Sequence, residues 1–150
     1  MHNLGHTRSD RQLTHLLQTP DTFVGMPLPG FDSVTVIVHA APAMGAAFSQ
    51  YTAEFEPGGL LGPAHGQRFL YVLEGGIAVT LDGQTRQLGP GEYGHVPANQ
   101  QHSVKSSGKS RVAVMRSLLY RCCMKLPRPP VLGTRPKSSR RLWPETPIYR

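Results

Sequence analysis

Glycine and proline account for 16 and 14 of the 150 residues, one residue in five. So dense a set of turn-formers leaves no uninterrupted stretch for long helices and favours short strands joined by turns. The runs between the turns fit that reading. Val34-Thr35-Val36-Ile37-Val38 is a β-branched run of strand length, and residues 48–55 form a second strand ended by Glu56-Pro57-Gly58-Gly59. Residues 69–73 and 77–81 flank Gly75-Gly76 as a hairpin, and Asp82-Gly83 turns the chain into residues 85–88. Gly89-Pro90-Gly91 then leads to residues 93–96, and a final pair, 103–105 and 111–115, spans Ser107-Gly108-Lys109. Eight or so short strands with turns at intervals of about 8–12 residues predict an all-β antiparallel sandwich or barrel.

The formal charge of +7 is unevenly distributed. Residues 1–115 carry seven Lys or Arg against eight acids, whereas residues 116–150 carry nine against the single acid Glu145, with six prolines and Trp143. All seven histidines lie at or before His102. This contrast divides the chain into an arm (1–30), a barrel (31–115) and a basic, proline-rich tail (116–150) expected to be disordered. No apolar run approaches the roughly 20 residues needed to span a bilayer, and the N-terminus lacks the apolar stretch of a leader, so a soluble, cytoplasmic chain without membrane contact is expected. Cys122 and Cys123 are adjacent, which suits neither a disulfide framework nor zinc spacing.

One spacing is more specific: Gly91, five residues, Pro97, one residue, Asn99, two residues, His102. It resembles the second motif of the cupin superfamily, with Asn99 where the motif has a second glycine. Asparagine is the natural substitute because it best tolerates positive φ after glycine. The first motif is visible as Gly59, five residues, His65, one residue, Gln67. The likeness extends to Leu4-Gly5-His6-Thr7-Arg8-Ser9, Thr19-Pro20-Asp21-Thr22-Phe23-Val24, Ala41-Pro42-Ala43-Met44-Gly45-Ala46 and Gln67-Arg68-Phe69-Leu70-Tyr71-Val72-Leu73-Glu74-Gly75. These segments resemble the N-terminal half of the bicupin (S)-ureidoglycine aminohydrolases, over about residues 4–114. The resemblance implies a double-stranded β-helix, the jelly-roll cupin barrel, in a manganese-dependent hydrolase family that releases ammonia from ureidoglycine in allantoin and purine catabolism. It also implies homo-oligomers, with the manganese ligands in a second barrel that this half lacks. By that reading this chain is truncated, holds no metal of its own and is inactive alone.

A cupin metal site takes about three imidazoles and a carboxylate. The residues matching that site here are the degenerate set His65, Gln67 and His102. Aligning on His65 puts Tyr71 or Val72 in the carboxylate slot, and aligning on Gly75 puts Arg68 there; neither is an acid. An arginine in that slot disfavours a metal and favours an anion. The alternative function is therefore a non-catalytic cupin that binds a small anionic ligand through Arg68, Tyr71 and His102, with Tyr51 as another candidate. No residue is singled out as catalytic. His39 and His95 are read as strand-end residues, and His2, His6 and His15 as solvated.

The family resemblance stops after Val114, where relatives read close to Glu-Lys-Pro and this chain has Met115-Arg116-Ser117-Leu118. If Arg116 is AGA, Ser117 AGC and Leu118 begins CT, reading from the last base of the Met115 codon gives GAG-AAG-CCT, which is Glu-Lys-Pro. Residues 115–150 are thus expected to be translated out of frame. The competing expectation, a tail that binds nucleic acid, is disfavoured because no aromatic platform or recognised motif accompanies the charge.

Overall fold

The computed structural model describes residues 9–12, 15–64, 66–117 and 131–134. Its strands are β1 (Asp10–Arg11), β2 (Leu16–Leu17), β3 (Gly25–Met26), β4 (Phe31–Ala40), β5 (Ser49–Leu61), β6 (Gln67–Glu74), β7 (Ile77–Leu81), β8 (Gln84–Leu88), β9 (Glu92–Val96), β10 (His102–Ser106), β11 (Ser110–Ser117) and β12 (Val131–Thr134). Short 3-10 turns at Pro20–Thr22 and Pro42–Met44 start at prolines, whose fixed φ suits a first helical position. β1 and β2 pair as a small hairpin within the arm, and the remaining strands form one curled antiparallel sheet. Its order is β12-β9-β6-β11-β5-β10-β7-β8, with β4 also on β5 and β3 on β4. This is the all-β jelly-roll barrel that the sequence predicts.

β5 is the strand that joins the two halves of the sheet. Its first half pairs with β4 and β11, whereas Leu60 and Leu61 reach Lys105 and Val104 on β10 in the opposite layer. The sequence reading ends this strand at Glu56-Pro57-Gly58-Gly59. The chain instead bends there and stays paired. Gly58 takes φ +83° at the corner, and the register of β4 slips between Asp32 and Val34 through Ser33 at φ +53°. A strand that changes sheets needs such an irregularity.

Alternate side chains point inward. The core is Val34 and Val36, Tyr51, Ala53, Phe55 and Leu61, Leu70 and Val72, Ile77, Val79 and Leu81, Leu88, Val96, Val104, and Val112 with Val114. The Asp82-Gly83 hairpin appears as expected, with both residues at positive φ as a tight two-residue turn requires. Two described segments fall within the region read as tail: β11 runs on to Ser117, and β12 pairs with β9. Residues 118–130 and 135–150, including Cys122 and Cys123, lie outside the described residues, as do His2 and His6.

Candidate functional site

Arg68 is the largest fully buried side chain of the barrel, with 0% exposure. β6 carries it inward in phase with Leu70 and Val72, so the strand's alternation sets a cation among apolar neighbours. Its Nη1 donates two hydrogen bonds at 3.0 Å, one to the Gly62 carbonyl and one to His102 Nε2. A guanidinium cannot accept, so Nε2 is the unprotonated nitrogen. The imidazole proton sits on Nδ1 and is donated to the Gln100 carbonyl at 2.9 Å. Asn99, at φ +64°, makes the turn that presents Gln100 and His102 in this way. Burial holds the His102 imidazole below the usual histidine range; the Gln100 carbonyl pulls the other way, and the Arg68 cation adds to the lowering.

The other edge of the guanidinium is unsatisfied. Arg68 Nε and Nη2, Tyr51 Oη and Arg116 Nε are all buried without a hydrogen-bond partner. Strand register brings the three side chains together. Arg116 stands directly across from Arg68 on one side and from Ser49, two residues before Tyr51, on the other. Burial lowers the pKa of Arg68, opposed by the Tyr51 phenol, which adjoins the guanidinium without the alignment of a full hydrogen bond, and reinforced by Arg116. The Tyr51 phenol is pushed up by burial, against the pull of the two guanidiniums. Among the described residues the ion pairs join Lys109 to Glu56 and Arg111 to Glu54 and Glu74 on the exterior, and none reaches Arg68 or Arg116.

Of the candidates read from sequence, the structure brings Arg68 and His102 into contact. Gln67 and Tyr71 alternate with Arg68 and Leu70, so they lie on the outer face: Gln67 Oε1 faces His95 Nε2 at 3.4 Å, and Tyr71 is in register with Tyr93. Tyr51, not Tyr71, is the tyrosine beside the guanidinium. His65 lies outside the described residues. His39 hydrogen-bonds Thr52 Oγ1 at 2.8 Å and meets Phe23 edge-on, away from this site. Arg116 was hidden from the sequence reading because the compositional break assigned it to the tail. The two-residue phase Val112, Val114, Arg116 was the signal that could have found it.

These interior residues do not suit a divalent metal. The His102 lone pair that would bind the ion is directed at Arg68, and a guanidinium there repels a second cation. Among the described residues the buried polar ones are Thr52, Arg68, His102, Ser106 and Ser110, with no acid among them. Among the described residues no group of three or more His, Cys, Asp or Glu side chains is placed to hold a metal ion.

Comparison with known proteins places this geometry in context. Residues 51–118 match the family model described as a cupin domain. A rice protein (Oryza sativa subsp. japonica) assigned as an (S)-ureidoglycine aminohydrolase is 36% identical over 105 residues, which cover 68% of this chain and 34% of that protein. The (S)-ureidoglycine aminohydrolase of Arabidopsis thaliana is 30% identical over 103 residues, covering 67% and 35%. The chain thus spans about a third of the length of these curated relatives. The crystal structure of protein Ylba from E. coli superposes with a TM-score of 0.73 at 24% identity, over 85% of this chain and 55% of that one, and so shares its fold.

Proposed function

Because this barrel belongs to the cupin superfamily and is similar to one cupin half of the (S)-ureidoglycine aminohydrolases, we propose that it serves as the metal-free, supporting half of such an enzyme. It corresponds in this reading to the N-terminal half, and the manganese and the hydrolysis belong to a second barrel not contained in these 150 residues. The observation that carries the proposal is the Arg68–His102 hydrogen bond, which uses the imidazole lone pair that a metal would need. The outer face of β6 and β11 supports it. Phe69 and Met115 sit opposite each other there, 39% and 42% exposed, with Leu73 nearby and Tyr93 stacked on Phe69. An apolar patch of this kind is where a second barrel, or a second copy of this chain in a homo-oligomer, would pack. No helix among the described residues is long and apolar enough to cross a membrane; in this role the protein works in the cytoplasm.

The test is ammonia release from ureidoglycine with manganese present. The chain alone is expected to add nothing to the uncatalysed rate. Manganese-dependent release by this chain, abolished by His102→Ala, would show that the barrel is itself a catalyst and overturn the proposal.

A further inference from the structure

The open edge of Arg68 carries an inference that goes beyond the aminohydrolase reading and concerns the chain as given, with arginine at position 116. We propose that Arg68, Arg116 and Tyr51 form a binding site for a small dicarboxylate inside the barrel mouth.

The chemistry starts from the guanidinium's own geometry. Nη1 is committed to Gly62 and His102, which fixes the plane of the group. Nε–H and the neighbouring Nη2–H, side by side on the remaining edge, are both unpartnered. Two parallel N–H groups on one edge are the fork that grips the two oxygens of a carboxylate. Tyr51 Oη adds a hydroxyl donor beside it, and Arg116 Nε a further charged donor.

The charge balance points the same way. Two arginines directly opposite one another across a strand pair repel. No described acid pairs with either of them. Buried charges persist where something compensates them, and a dianion supplies both missing charges and fills all four idle donors. Arg116, half-buried near the end of β11, is the most exposed of the three, so a ligand would enter past it. His102 acts here as a positioning residue: as an obligate acceptor it turns Nη1 away and leaves the fork to face a ligand.

The experiment is thermal unfolding and titration calorimetry of the full chain with malonate, against sodium chloride of matched ionic strength, and against acetate and sulfate. Malonate is expected to bind saturably and raise the midpoint, with chloride and acetate giving little. Arg116→Gln is expected to weaken malonate about tenfold and Tyr51→Phe by about threefold, one lost charged and one lost neutral hydrogen bond. Lys105→Gln, on the exposed side of β10, leaves the affinity unchanged. Arg68→Met abolishes binding, and should that variant not fold, the two milder substitutions carry the test. Absence of saturable binding, or binding indifferent to Arg116→Gln and Tyr51→Phe, would overturn the site. Equal response to sulfate would overturn the carboxylate assignment. Neither result bears on ammonia release, so the two proposals fail separately.

Discussion

Protonating His102 would force Nε2 to give up the hydrogen bond from Arg68 and would place a second cation against the guanidinium, so the folded state resists that proton. The sign follows from linkage. The imidazole's pKa is lowered in the fold from an unfolded value near 6.5, so between the two values the unfolded chain binds more protons. Stability is therefore fully present above about pH 6.5 and is lost as pH falls through the folded value. His39, lowered by burial, acts in the same direction. Denaturant unfolding at a series of pH values from about 7.5 downward is expected to show this decline. In His102→Gln the decline shrinks to the part due to His39, and a wild-type free energy that stays flat across the window would contradict the tautomer assigned here. Part of this site was legible in the sequence. The spacing from Gly91 to His102 pointed to an inward imidazole, and the Gly75 alignment put Arg68 in the barrel. Whether Tyr51 or Tyr71 faces Arg68 depends on strand phase, which a motif alone does not carry.

At the scale of elements, strands show in a sequence where β-branched runs end at turn residues. Residues 77–81 are such a case, since Gly75-Gly76 and Asp82-Gly83 bound them on both sides, and β7 has those limits. The second half of β5 does not show, because Pro57-Gly58-Gly59 is locally a stop signal that cross-strand pairing to β4 and β10 overrides. At the Gly75-Gly76 end of the barrel the turns show in the sequence and the serine network between them does not. There the Ser106 and Ser110 hydroxyls lie 2.8 Å apart, each within hydrogen-bond reach of the Gly76 carbonyl, so that with one proton apiece one donates to the carbonyl and the other to its partner hydroxyl. Serines carry no sequence signal for burial. Gly75 is the tight point of this junction, at φ +73°, where a Cβ would lie 2.4 Å from the Lys109 carbonyl oxygen and 2.5 Å from Ser110 Oγ. The strain of a left-handed alanine and the overpacking together predict that Gly75→Ala destabilises by about 3 kcal/mol. Ser110→Ala, which leaves the Gly76 N–H short of its 3.0 Å acceptor, costs about 1–2 kcal/mol. Urea unfolding of both variants checks the order, and a Gly75→Ala protein as stable as wild type would mean that the β6–β7 turn is not as tight as described.

For the whole molecule, the question is whether the sequence changes source near Val114. The compositional contrast, histidines before and arginines with prolines after, coincides with the loss of family resemblance. The barrel does not stop there: β11 continues through Arg116, which faces Arg68 across the sheet. These facts join in one prediction. In the neighbouring frame the same stretch reads Glu-Lys-Pro if the codons are AGA, AGC and CT following ATG. That frame would remove Arg116 from β11 and leave Arg68 without the second guanidinium opposite it. Sequencing the locus from the Val112 codon past the stop is expected to show those codons and a gained or lost base, with the corrected frame leading into a second barrel with His and Glu ligands. Any other codons at Arg116, Ser117 and Leu118 would refute the shifted frame. The two guanidiniums would then be native neighbours, and the need for an external dianion would follow from the gene itself.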